Sequence, residues 1–348
     1  MKKRFHFWIG ISLVLVYIVI AAGAIVRVTG SGMGCPDWPK CFGYLIPPTE
    51  RGQLDWISEH NYKTGEVIIV NENLRVAKKN FTSANEYSES NWEPYVKHDY
   101  AHFNAFHTWV EFINRLAGAL AGIATLIVGI LSLSYWKQKK RIVFFSVFVN
   151  LGMGFQAWLG KTVVDSNLLP TKISLHMIMA LFIVAFLVYL YALTSSDESK
   201  NTSTLKIKNL GIIAFVLTLI QISIGTQVRQ FVDIQIDFHG MEQVVKWLNP
   251  APIKFYVHRS FSLIVILINA YLFYNIQKIN LRFPIYNWVL LILGTEILTG
   301  ILMYYFDFPI ATQPLHLLLA SLLFGGQLYF LLQLFNQNLN TNSHDLQI

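Results

Sequence analysis

Apolar residues come in eight long blocks along this chain, at about 7–26, 116–136, 142–160, 173–194, 209–228, 260–277, 283–303 and 313–335. With the polar start of the second block and the His-Arg at the head of the sixth included, each approaches the ~20 residues that span a ~30 Å hydrocarbon core. The pattern predicts eight membrane helices and excludes a soluble core. The first block follows Met-Lys-Lys-Arg, as a signal peptide would. It is longer than a usual signal core and runs on through Ala-Ala-Gly-Ala into Ile-Val-Arg, so it reads as a retained helix. Two polar stretches interrupt the pattern: a loop at 29–104 and a linker at 195–208. Within the loop, 49–100 is rich in Asn, Glu and Lys and reads as either a small cap or a mobile segment.

The blocks repeat weakly. Gly23-Ala-Ile-Val-Arg27 matches Gly225-Thr-Gln-Val-Arg229, and Ile113-Asn114-Arg115 matches Val257-His258-Arg259. Gln156-Ala-Trp-Leu-Gly160 matches Glu296-Ile-Leu-Thr-Gly300, and Leu175-His176-Met177 matches Leu315-His316-Leu317, the last two pairs at one offset of 140 residues. Four spans return a chain to its starting side, so the halves share an orientation. The expected fold is an all-α membrane protein of eight transmembrane helices, built as two duplicated four-helix bundles about a parallel pseudo-twofold along the membrane normal. Its parts are an N-terminal half at 1–194, the linker at 195–208 and a C-terminal half at 209–348.

Composition sharpens this picture. The chain of 348 residues is 54% hydrophobic and 14% charged, where an ordinary soluble domain is nearer a quarter charged. A net charge of +7 is of the sign that nucleic-acid binding needs, but its placement argues otherwise. Lys2-Lys3-Arg4, Lys137 to Arg141, Lys206/Lys208 and Lys278/Arg282 all fall on one side of an eight-span arrangement, and the 29–104 loop carries seven Lys/Arg against ten Asp/Glu. The positive-inside rule makes that basic side the cytoplasm, with both termini there and the loop outside. No nucleic-acid partner is expected. Cys35 and Cys41 lie in the outer loop, where a disulfide can persist; they read as either a staple or a redox pair.

The chemistry sits at one depth. His176, His258 and His316 lie within the first two turns of helices entering from outside, behind Pro170, Pro252 and Pro314, and Arg27 and Arg229 end helices that exit there. Polar rings inside a bilayer are costly without a partner. A four-helix bundle can hold a heme between facing helices with one His from each on the iron, and rim arginines match its propionates. His258 and His316 are therefore candidate ligands in the C-terminal half. In the N-terminal half His176 lacks a partner, because the repeat places Asn114, a poor iron ligand, where His258 stands in the other half. His107, seven residues earlier and about 10 Å up the same helical face, is either the substitute ligand or an interfacial histidine; His102 is a weaker candidate. Glu111, whose counterpart is Phe255, is either a proton donor or acceptor or a partner of Arg115 one turn on. Glu296, counterpart of Gln156, is a buried hydrogen-bonding group or part of a proton path.

These motifs resemble a known family. Ala24-Ile-Val-Arg-Val-Thr-Gly-Ser-Gly-Met-Gly-Cys-Pro-Asp-Trp-Pro-Lys-Cys41 is similar to the first-loop signature of the heme A synthase family, and Glu111-Phe-Ile-Asn-Arg115 to its Glu-x-x-His-Arg element with Asn in the His place. Phe155 to Gly160, His176, His258-Arg259 and Pro314-Leu-His316 fall where the family's other motifs do. The resemblance spans all eight blocks and leaves 49–100 mainly unmatched. It implies an enzyme of the cell (inner) membrane that uses O2 to oxidise a methyl group of heme O to the formyl group of heme A. A resident heme b would sit on His258 and His316, relaying electrons to the N-terminal half, with His176 as substrate-side ligand and Glu111 taking part in the oxidation. Arg27, Arg115, Arg229 and Arg259 would hold heme carboxylates, and Cys35 and Cys41 would form a disulfide or capture heme transiently. Implied partners are a quinol or another membrane electron donor, heme O synthase and cytochrome oxidase assembly factors.

Asn114 departs from the family pattern. It leaves three outcomes: His107 substitutes, the substrate iron is five-coordinate on His176, or the chain is inactive. The rival class is a membrane b-type cytochrome that only transfers electrons from quinol; it would need neither Glu111 nor the cysteine loop. A two-repeat transporter is a third reading. A prenyl-transferring heme O synthase is disfavoured because no paired Asp motif lies in a loop.

Overall fold

The computed structural model describes residues 2–96, 103–195 and 204–344. Eight helices long and apolar enough to cross a membrane make up most of these residues. They are α1 (Lys2–Val28), α2 (Ala105–Ser132), α3 (Lys140–Asp165), α4 (Pro170–Thr194), α5 (Leu205–His239), α6 (Ile253–Lys278), α7 (Pro284–Tyr305) and α8 (Thr312–His344). Pro170 and Pro284 occupy the first helical turn, where a missing N–H costs nothing and the fixed φ favours the helix. The Asn104 side chain caps α2 by accepting from the His107 N–H at 3.3 Å. Outward-facing apolar side chains are bare: Leu267 is 68% and Leu291 59% exposed. An apolar surface of that extent is untenable in water, and the chain is a multi-pass membrane protein.

α1 packs on α2 and α4, and α3 on α2 and α4; α5 packs on α6 and α8, and α7 on α6 and α8. The two groups meet where α1 and α4 lie against α8 and where α4 touches α5. Their apolar cores concentrate at the helix ends remote from the 29–104 loop. One joins Phe5, Ile9, Ile142 and Leu187, the other Ile207, Leu272, Tyr286 and Phe330. Toward the loop the helices carry the histidines, arginines and glutamates instead.

One feature exceeds the sequence reading. The fifth helix does not stop near 228 but runs on to His239. The residues after Arg229 contain no breaker until Gly240, whose φ of 87° only glycine adopts readily. The 196–203 part of the linker lies outside the described residues.

The loop, for its part, holds a small β cap. Strands β1 (Asn61–Tyr62), β2 (Val67–Val70), β3 (Asn73–Ala77), β4 (Phe81–Thr82) and β5 (Trp92–Pro94) form an antiparallel sheet in the order β2-β3-β5 and a β1-β4 pair. Asn71 and Glu72 turn the β2-β3 hairpin, both at positive φ, as the primed two-residue turns require. Alternation along β2 divides the cap interior. Val67 and Ile69 join Cys35, Cys41 and Phe42, whereas Ile68 joins Tyr62 and Trp92. The cysteine loop is thereby the floor of the cap.

Candidate functional site

Four glycines lie against four side chains at corresponding points of the repeat. A Cβ on Gly225 would fall 2.9 Å from His258 Cε1, one on Gly160 3.4 Å from His176 Cε1, and one on Gly300 3.7 Å from His316 Cε1. The fourth, Gly23, stands in the same way 3.9 Å from Asn114 Oδ1. The backbones of His176 and His258 are also held from a neighbouring helix. Gln156 Nε2 donates to the His176 carbonyl at 2.9 Å and Gln221 Nε2 to that of His258 at 3.0 Å. The rings have unspent capacity, since Nδ1 of His176, Nδ1 of His258 and Oδ1 of Asn114 are buried without a hydrogen-bond partner. Buried polar atoms are nearly always satisfied, so these three have capacity to spare for a ligand.

The His258 and His316 ring centres are 6.4 Å apart, with planes at 77°. Two imidazoles on opposite sides of one metal, each with a metal–nitrogen bond of about 2.0–2.1 Å, have centres about 6 Å apart. His316 Nδ1 meets Thr299 Oγ1 at 2.9 Å and the Glu296 carbonyl at 3.1 Å, contacts that fix the ring. Glu296 Oε1 is 3.4 Å from His316 Nε2, and its Oε2 is buried and unpartnered. Among the described residues no group of three or more His, Cys, Asp or Glu could hold a bare metal ion. Two facing imidazoles are a donor set that would suit a metal bringing its own equatorial ligands, as heme iron does.

The arginines are joined through a residue the sequence reading missed. Asp233, on the extension of α5, takes Arg27 on both carboxylate oxygens and Arg229 Nη2 on Oδ1 at 2.9 Å. Arg27 also reaches Met177 Sδ at 3.7 Å, and Arg229 donates to Gln313 Oε1. The available signal was an acidic residue four positions after Arg229 with no helix breaker between them. Arg259 is exposed and lies over the rings of Phe255, Tyr256 and Tyr304 at 5.4–5.9 Å.

On the N-terminal side the cysteine loop is clamped to α2. Cys35 and Cys41 form a disulfide. Gly34 abuts the α2 backbone so closely that a Cβ would fall 2.3 Å from the His107 carbonyl oxygen, and Thr108 Oγ1 donates to the Gly34 carbonyl at 2.7 Å. The Cys35 N–H donates to Glu111 Oε2 at 2.9 Å, while Arg115 donates to Glu111 Oε1. The other terminal nitrogen of Arg115 serves the Asp37 and Lys40 carbonyls at 2.7 and 2.8 Å. Glu111 is 4% exposed and has both oxygens engaged, one by its helical neighbour and one by the loop. Asp37 in turn receives the Phe42 and Gly43 N–H groups at 2.6 and 2.8 Å. Burial pushes its carboxyl above the ordinary range, against the pull of those amides and of Arg115. His107 sits in the first turns of α2 with Nδ1 2.9 Å from Ser31 Oγ. His102 lies outside the described residues.

Known proteins resemble this chain along most of its length. The COX15-CtaA family of cytochrome oxidase assembly proteins matches residues 6–89 and 63–328. A protein named heme A synthase from Wolbachia pipientis wMel is 25% identical over 366 residues, 96% of this chain and 94% of that protein. Another of that name, from Ehrlichia ruminantium (strain Gardel), is 22% identical over 350 residues, covering 93% and 91%. A third, from Shewanella oneidensis, is 24% identical over 217 residues, and there the match spans 62% of this chain and 54% of the relative.

Proposed function

The chain belongs to the COX15-CtaA family of cytochrome oxidase assembly proteins, the heme A synthase family, and from that membership we propose that it oxidises a methyl group of heme O to the formyl group of heme A. The methyl is hydroxylated twice and the resulting diol loses water. Each hydroxylation takes one atom of O2, and the other leaves as water with two protons and two electrons. The chain sits in the inner membrane with both termini cytoplasmic and the cysteine loop outside, a topology supported by the one-sided basic clusters.

Residues 209–348 hold heme b on His258 and His316, a reading supported by the 6.4 Å ring separation and the Gly225 notch. Heme b supplies one-electron transfer when bound. Its electrons come from a quinol or another membrane donor. Residues 1–194 hold substrate heme O on His176. Asn114 stands where its counterpart His258 is a ligand, so the substrate iron has a free position for O2 unless His107 reaches it from above. Ser31 leaves Nε2 of His107 available for that task. Arg27, Arg229 and Arg259 serve the heme carboxylates, and Arg115 orients Glu111. Heme O synthase and cytochrome oxidase assembly factors are the neighbours such a substrate and product require.

The single observation that carries this reading over an electron-carrying cytochrome is Glu111. A carboxylate buried beside the N-terminal site and bonded to the disulfide loop has a use in proton delivery at Oε2, where it meets the Cys35 N–H. The opposite half has buried Phe255 at that point. Expression in cells that make heme O but no heme A, followed by pigment extraction, tests the function. Heme A is the expected product; normally inserted protein without heme A contradicts it.

A further inference from the structure

Asp233 is buried and bonded across the boundary between the two helix groups, to Arg27 of α1 and to Arg229 one turn earlier on its own helix. Each arginine has its second hold next to a candidate iron ligand. Arg27 touches Met177, the residue after His176, and Arg229 donates to Gln313, one turn before His316. Beside them Gln230 Nε2 donates to Ser174 Oγ at 2.7 Å, two residues before His176. Two half-buried guanidinium groups side by side repel each other in a low-dielectric layer unless an anion lies between them. Asp233 is that anion.

We propose that Asp233 is a positioning residue for both heme sites, holding Arg27 toward the His176 side and Arg229 toward the His258–His316 side with one shared carboxylate. The inference rests on the heme A synthase reading and deepens it. A substrate carboxylate that engages Arg27 takes it from Asp233 and leaves Asp233 to Arg229 alone. The charge beside the C-terminal site thereby depends on occupancy of the N-terminal site. Asp233 touches neither substrate nor cofactor and acts through the two arginines.

The test uses heme-loaded full-length protein carrying Asp233→Asn. Losing a negative charge near heme b favours its reduced form, so redox potentiometry should show the midpoint raised by roughly a tenfold change in the reduction equilibrium, about 59 mV for one electron. The apparent KM for heme O should rise several-fold, with kcat changed less, and Asp233→Glu should restore both. An Asp233→Asn protein with wild-type midpoint and wild-type KM overturns the inference. If that variant does not accumulate, Arg27→Gln with Asp233→Asn keeps the net charge of the layer. Its midpoint should return toward wild type while KM stays raised, and a wild-type KM there overturns the inference. Wild-type protein that holds heme b yet makes no heme A would overturn the synthase reading alone. The Asp233→Asn midpoint shift is still expected in that case, and its absence overturns this inference.

Discussion

Gly225 lies so close to the His258 ring that a methyl group in its place would fall 2.9 Å from Cε1. Contacts of that length force a shift of the ring, and overpacking in a filled core costs about 1–3 kcal/mol. Gly225→Ala should therefore lower heme b content and thermal stability together. Gly23→Ala, whose Cβ would meet Asn114 Oδ1 at an ordinary 3.9 Å, should change neither. Pigment per protein and Tm measured on both variants check the pair; equal behaviour would contradict the notch.

The ligand assignment makes a spectral prediction. His258→Ala or His316→Ala should each abolish the low-spin heme b spectrum, since one imidazole remains in each case. Retention of that spectrum in both variants would refute the C-terminal site. His107→Ala should leave the spectrum intact and impair turnover or heme O binding. Wild-type activity in that variant would instead leave His176 as the substrate iron's protein ligand.

Arg115 is a structural hinge between loop and helix. Arg115→Ala leaves Glu111 buried with only backbone N–H groups of the cysteine loop as partners and frees the Asp37 and Lys40 carbonyls. Removing one partner of a buried ion pair costs about 3–5 kcal/mol, and both side chains here are well shielded, at 14% and 5% exposure. Lowered Tm and faster proteolysis within 29–104 are expected, with the heme b spectrum retained. A loop cleaved at the wild-type rate would contradict the clamp.

The disulfide closes a short loop, for which chain-entropy arguments give about 2 kcal/mol. Cys35→Ser with Cys41→Ser should loosen the cap floor and lower Tm by that equivalent without loss of heme b. Loss of heme b from otherwise folded protein would tie the cysteines to the C-terminal site.

Much of this was legible in the sequence because membrane helices announce themselves by the length of their apolar runs, and all eight runs are helices. The glycines opposite His258 and His316 were visible as repeat matches, although their packing against the rings was not. The cap was harder to read. Its hairpin turns on Asn71-Glu72 without a glycine, and a strand such as Val67–Val70, buried on both faces, shows no polar alternation. Asp233 escaped notice because hydropathy ends the fifth span near Arg229, whereas the backbone continues as helix to Gly240 and swings the carboxylate back onto the arginines. His107 could be placed on its helical face, but its bond to Ser31 spans 76 residues and no local pattern encodes it.

The division of labour between the halves is tested most directly by Glu111→Gln, which keeps the side chain's shape and one acceptor oxygen while replacing the ionisable one with an NH2 that can accept neither the Cys35 N–H nor Arg115. Pigments extracted from membranes carrying this variant, in cells able to make heme O, should contain heme b at the wild-type level, accumulated heme O and little or no heme A. Heme A at the wild-type level would contradict the account.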